Sequence, residues 1–244
     1  MKIDGHFYEL LNKRKLWFSS PADFNDPFDS KLFINSTTNI NEVEKYINEV
    51  LKMPAIIENY ETHLDRPGRL LFLKHDLAKI YQGLVNNLGI CCFSANCDNL
   101  LLWAHYADCH KGACIQFNTQ ILKEVFGNIE KVEYHNKYPE IDPFIDLNEA
   151  IKKVPFHKSM HWEYEEEIRI INTYKGSFEF PIEAISQIKL GARVFNYSDV
   201  WSKIKVEDYN HAEFLTTGIH SDRYEIYING RHVFKNKEST SLER

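Results

Sequence analysis

The stretch HWEYEEEIRII, residues 161–171, sets four glutamates within five positions and runs out into an isoleucine-rich segment. A solvated charge run scatters its carboxylates and has no need of Trp162 and Tyr164 beside them. The stretch reads either as a site or as a stiff, salt-bridged sheet edge. Taken as extended over 164–171, its side chains alternate: Glu165, Glu167, Arg169 and Ile171 share one face, opposite Glu166, Ile168 and Ile170. Residues 167–172 form the strand proper. Two carboxylates and a guanidinium then line up. Paired carboxylates can polarise a sugar hydroxyl, stabilise an oxocarbenium-like centre, or act as acid and base. The plainer alternative pairs Arg169 with Glu165 or Glu167 at an exposed edge, a contact worth under about 1 kcal/mol.

Working back toward the N-terminus, residues 5–15 carry Phe7, Leu10 and Leu11 at helical spacing with basic residues at the end, which suits the negative pole of a short helix. Leu16, Trp17 and Phe18 read as a brief strand. Ser20, Pro21 and Asp23 form a capping arrangement, and Pro27 ends that turn by pushing Asp26 out of the helical region. Residues 39–53 and 69–88 read as amphipathic helices. ICCFS (residues 90–94) is a buried strand, and Asp98 or Asn99 caps a helix over 100–110 that Gly112 ends before a strand at 113–117. Beyond it, the pattern predicts a strand at 131–134 and a helix over 147–160 broken near Pro155. Strands follow at 185–190 and 224–228. Helices gather early and strands late, so the expected fold is α+β: a single domain over 1–234 with a mixed, mostly antiparallel and split sheet, and a frayed tail at 235–244.

The chain has 244 residues, 43% of them hydrophobic and only ten glycines, which is ample for a core and excludes a disordered chain. A formal net charge of −6 gives no general attraction to nucleic acid or anionic lipid. No apolar run approaches membrane-spanning length, and no signal-type segment follows Met1, so a soluble cytoplasmic protein is expected. The five cysteines (Cys91, Cys92, Cys97, Cys109, Cys114) are an odd number, which points to reduced thiols. Cys97, His105, Cys109, His110 and Cys114 resemble a zinc set in type only. They contain no Cys-x-x-Cys pair, so no metal is expected from them. Lys111 and Gly112 lack the glycine-rich context of a phosphate loop, and no Gly-x-Ser-x-Gly elbow is present.

Trp103 and Tyr106 on the central helix read as core residues or as substrate platforms, and His105 as a packing residue or a proton carrier. Asn25 and Asp26 read as turn-formers or as ligand contacts on a shaped loop.

LWFSSPADFNDPFD (16–29), CFS with DNLLLWAHYADCHKGACIQF (within 92–117), and WEYEEEIRII (162–171) together resemble the bacterial family called domain of unknown function 2971. Lys158 before Trp162 and IKLGARV after the last block extend the likeness. Departures are Leu102 in place of a frequent Met, Asp29 in place of a commoner Glu, and a missing or degenerate first strand. More distantly, the layout is similar to ADP-ribosyltransferases, whose late Glu-x-Glu strand Glu165 and Glu167 fit. That resemblance implies NAD as substrate. Glu167 would hydrogen-bond the ribose and stabilise positive charge as nicotinamide leaves, Glu165 would orient the acceptor, and Arg169 would complete the catalytic face. Ser94 and Tyr106 would hold the nicotinamide side, with Trp103, His105, Asn25 and Asp26 as further binding candidates.

Three expectations follow. The first is an NAD-cleaving, ADP-ribosyltransferase-like enzyme acting as a toxin or phage-defence effector on an unidentified macromolecular acceptor or on water. The second is a metal-dependent nuclease-like module. The third is a non-catalytic interaction domain, nucleic-acid-associated or otherwise, in which the Trp, Glu and Arg motif is a structural clamp.

Overall fold

A computed structural model describes residues 1–34, 39–61, 65–141 and 151–234. The chain opens with α1 (Gly5–Lys13), whose first N–H groups are met by the Asp4 side chain and whose buried face is Phe7, Leu10 and Leu11. Arg14, at φ 56°, reverses the chain into β1 (Lys15–Phe18). Ser20 caps a single 3-10 turn, Pro21–Asp23, and its hydroxyl donates to the Asn86 carbonyl at 2.6 Å, so the loop is anchored at both ends. A short β2 (Phe33–Ile34) follows.

Three helices come next: α2 (Ile40–Glu49), α3 (Ala55–Glu61) and α4 (Arg66–Asn86). Asn39 and Glu42 form a reciprocal capping box on α2, and Asp65 caps α4 with Pro67 in its first turn, where a missing N–H costs nothing. Val43, Ile47, Leu73, Leu77, Tyr81 and Val85 turn inward to make an apolar cluster that also takes in Ile34 and Ile141.

The remaining described elements are β3 (Gly89–Ser94), α5 (Leu100–Tyr106), β4 (Ala113–Phe117), α6 (Thr119–Phe126), β5 (Ile129–Lys131), β6 (Glu133–His135), β7 (Glu140–Ile141), β8 (His157–Ser159), β9 (Glu167–Asn172), β10 (Gly176–Glu179), β11 (Ile185–Leu190), α7 (Tyr197–Ser202), β12 (Glu213–Ile219) and β13 (Ile226–His232). They pair as small separate sheets. β3–β9–β5 is antiparallel throughout, and β13–β12–β11–β4 is mixed, its β11–β12 pair being parallel. β1 pairs with β10, β2 with β7 and β6 with β8. The larger core packs α1 and α7 against these sheets through Phe7, Phe18, Ile170, Ile188, Trp201 and Phe214. The expected α+β architecture with a split, mostly antiparallel sheet is the one that forms. Among the described residues no helix is long and apolar enough to cross a membrane.

Several local expectations are corrected. The central helix stops at Tyr106 instead of running to His110, because Asp108, Cys109 and His110 all take left-handed backbone conformations. His110 stacks on Trp103, and its N–H reaches the Trp103 carbonyl at 3.1 Å, which holds that turn. The strand expected at 131–134 is two strands, broken where the Val132 N–H turns to the Glu167 carbonyl. The helix expected over 147–160 fails in its second half: Val154–Phe156 is a 3-10 turn and His157–Ser159 is a strand, while 142–150 lie outside the described residues. The last strand begins at Ile226, leaving Tyr224 exposed, and the expected tail at 235–244 is outside the described residues. Strands β10 and β12 and helix α7 went unseen in the sequence. In β12 both faces are buried, so FLTTG carries no alternation to detect.

Gly112 does not end a helix; it sits where three backbones meet. Its N–H donates to Ala107, its carbonyl accepts from Gly191, and a Cβ there would lie 2.2 Å from the Met1 carbonyl oxygen. Gly112→Ala is expected to cost at least about 1–3 kcal/mol, because backbone cannot yield as a side chain does. Chemical denaturation of the variant checks this, with an unchanged midpoint counting against the close approach.

Candidate functional site

Glu165 reaches its place by a route that alternation along a strand could not describe. Ser159 caps a 3-10 helix, Met160–Glu165, and Glu166 then adopts a left-handed conformation (φ 46°, ψ 50°) before β9 begins at Glu167. The extended reading of 164–171 is therefore corrected: Glu165 and Glu167 belong to different elements. They converge all the same, because the Lys158 ammonium on β8 bridges them, 2.5 Å from Glu165 Oε2 and 3.0 Å from Glu167 Oε2.

Arg169 extends the cluster inward. Its Nε donates to Glu167 Oε1 at 2.7 Å. Nη1 and Nη2 grip the two oxygens of Asp29 at 2.8 and 2.6 Å, and Nη1 also reaches the Pro155 carbonyl at 2.6 Å. Ser30 donates to Asp29 at 2.8 Å, and Lys158 stands 3.6 Å from the same carboxylate. Arg169 is fully buried, and Asp29, Glu165, Glu167 and Lys158 are each less than a tenth exposed. Trp162 lies over the Lys158 ammonium and Phe24 over the Arg169 guanidinium, so each cation also has an aromatic face. Three carboxylates against two cations leave one formal negative charge in the interior. The exposed-edge alternative for Arg169 is thereby corrected: this is a desolvated network, in which removing one partner is far more costly than at a surface.

Glu167 and Lys158 are held in their charged forms by their partners. Burial alone raises the Glu167 pKa, but the Arg169 guanidinium and then Lys158 outweigh it and hold the carboxyl below its usual range. Burial pulls Lys158 down, and Glu167, Glu165 and Asp29 more than reverse it, so the amine stays an ammonium.

Each central glutamate meets a solvent-reaching neighbour. The Tyr106 hydroxyl donates to Glu165 Oε1 at 2.6 Å, and the tyrosine is 39% exposed. Burial, the hydrogen bond to Glu165 and that carboxylate's charge all raise the Tyr106 pKa, while Asn25 donates to its oxygen. Cys92, opposite Arg169 in the β3–β9 register, interacts with Glu167, and burial followed by the Glu167 charge raises its thiol far above the ordinary value. Cys92 is nonetheless accessible. It is a protonated thiol, not a nucleophile.

Of the other predicted residues, Ser94 pairs across the sheet with Glu167, is exposed, and spends its hydroxyl in a local turn with Asn96. His105 is exposed at the rim, between the rings of Tyr106 and Tyr164. Trp103 is a core residue: it is 3% exposed, with its N–H given to the Cys97 carbonyl. Asp26 is a buried turn-former that accepts from the Phe28 N–H. Sequence reasoning missed Lys158 and Asp29 as members of the site. Both stood in the quoted blocks or beside them, but nothing in local spacing ties residue 29 to residue 169.

Residues 102–170, from within α5 to within β9, match the family described as "Protein of unknown function (DUF2971)". No curated protein and no solved structure matches the chain. The likeness to ADP-ribosyltransferases thus rests on the residues alone.

Arg169→Ala is expected to destabilise the fold by about 3–5 kcal/mol, since it strands Asp29 and Glu167 as buried unpaired charges. Equilibrium denaturation reads this directly. The depressed Glu167 pKa also gives a sign in pH. Its contribution is present above the unfolded carboxyl pKa of about 4.3 and is lost as pH falls through the lower folded-state value. Melting temperature should therefore drop on acidification below about pH 5, with a shallower slope in Glu167→Gln.

Proposed function

We propose that the cluster of Glu165 and Glu167, with Tyr106 at its exposed side, binds the ribose of a dinucleotide such as NAD and promotes cleavage of its N-glycosidic bond. The observation that carries this reading is the pair of buried carboxylates, bridged by one ammonium and left with excess negative charge, of which Glu165 accepts from the partly exposed Tyr106 hydroxyl. Charge that is fixed before reaction is suited to stabilise positive charge as it develops, and costs no reorganisation at that moment.

On this reading Glu167, ionised by Arg169 and Lys158, accepts a ribose hydroxyl and faces the oxocarbenium-like carbon. The bond from that carbon to the pyridinium nitrogen breaks, its electron pair stays on nicotinamide, and an acceptor oxygen or water attacks with loss of a proton. Glu165 and the Tyr106 hydroxyl orient that acceptor. His105 and Tyr164 give the rim aromatic surface for a base to lie against. A toxin or phage-defence role, with a macromolecule as acceptor, belongs to the same proposal.

A second reading is favoured by one specific observation: every nitrogen of the Arg169 guanidinium is spent on an internal acceptor. That is how a clamp between segments looks, and a clamp needs no ligand. The two readings part on a measurement of nicotinamide release from NAD. The enzyme reading expects turnover in the intact chain and a fall of at least about 100-fold in Glu167→Gln, the scale of one lost electrostatic contact. Because that variant also perturbs the buried network, Tyr106→Phe serves beside it: it removes one hydroxyl and no charge, and should lower kcat/KM at least about 10-fold with little change in melting temperature. Absence of turnover in the intact chain, together with no thermal shift on adding NAD, leaves the clamp.

A further inference from the structure

On β6 and β8 a second set of ligating side chains converges, separate from the glutamate cluster. The two strands run parallel, with Glu133 opposite His157 and His135 opposite Ser159. Alternation along β6 puts Glu133 and His135 on one face, and the register brings His157 to the same face. Lys158 points to the other side, into the buried network. Ligand atoms of Glu133, His135 and His157 all lie within 4.8 Å of one another. Glu133 Oε2 is 3.4 Å from His135 Nε2 and 3.7 Å from His157 Nε2, and the two imidazole rings stack with centroids 5.0 Å apart.

The orientation of His157 is an independent pointer. Its Nδ1 is 2.9 Å from the Lys153 carbonyl oxygen. A carbonyl only accepts, so Nδ1 carries a hydrogen and donates it, which leaves Nε2 as the ring atom that faces Glu133. A backbone carbonyl fixing the far nitrogen of an imidazole is also the outer-shell arrangement that metal-bound histidines use. Ligands about 2.0–2.2 Å from a zinc ion stand about 3.3 Å apart in a tetrahedral set, so the two Glu–His edges are already near that spacing.

We propose that Glu133, His135 and His157 form a binding site for a divalent transition-metal ion of the zinc class. Two imidazoles and one carboxylate suit such an ion better than calcium or magnesium, which take all-oxygen sets. Three protein ligands leave a coordination position for water. His135 and His157 line a cavity of about 480 Å³ that also takes in Lys31, Lys137, Phe28 and Tyr138, so that position has room for an anionic ligand beside it.

The test is a Zn(II) titration of the full chain after chelator stripping, with Co(II) as a spectroscopic substitute. One equivalent of Zn(II) should bind and raise the melting temperature. His135→Ala and His157→Ala should each weaken binding at least about 100-fold and abolish the visible bands of low-coordinate Co(II). Glu133→Gln, at a side chain 68% exposed and so tolerant of change, should weaken binding without altering the metal-free melting temperature. No stoichiometric Zn(II) binding by the intact chain overturns the proposal. So does undiminished affinity in the His135→Ala/His157→Ala double variant, which would put the ion on the free thiols. None of these readouts depends on NAD, so failure here leaves the dinucleotide reading standing, and the converse holds.

Discussion

A guanidinium shut away from water is the constraint around which the rest of this protein is arranged. Arg169 has no exposure, and taking its charge out of water is tolerable only if all of its donors find strong acceptors. Asp29 supplies a bidentate partner from the far end of the sequence, Glu167 supplies another from the same strand, and Pro155 supplies a carbonyl. Ser30 hydrogen-bonds Asp29, while its own carbonyl accepts from Gln82 on α4 at 3.0 Å. Through this chain of contacts the central sheet β3–β9–β5 is tied to the early helices, whose apolar cluster is distinct from the main core. The left-handed backbone at Ser30 and Glu166, one at each side of the cluster, is tolerated because these contacts over-determine it.

The same constraint sets what the site can do. With Arg169 and Lys158 neutralising most of the negative charge, Glu167 stays ionised and is suited to electrostatic work more than to proton transfer. Tyr106 and Cys92 border this interior, and neither is a ready nucleophile, since burial and the neighbouring carboxylates raise the pKa of both.

β8 is the wall between two polar centres. Three residues long, it sends Lys158 inward to the glutamates and sets His157 toward Glu133 and His135 on the other face. A helix, which the sequence suggested there, would have spread these side chains around a cylinder and built neither centre.

Much of the fold was legible because its signals are local. The helix beginning after Asn39, the Asn99 cap, and strands 113–117, 167–172 and 185–190 each declare themselves within a few residues. The acidic, aromatic and β-branched stretch at 161–171 likewise marked Glu165, Glu167 and Arg169 as residues that belong together. What the sequence could not supply was their partners. Asp29 and Lys158 join the cluster only because the chain returns there from 140 residues and from nine residues away, and Glu133 meets His157 only through a parallel pairing with no turn to announce it. The sequence by itself determined several of the helices and strands and where unusual charge gathers. Only the tertiary structure decided that this charge is buried, because desolvation and pairing are properties of what packs around a residue, not of the residues beside it in the chain.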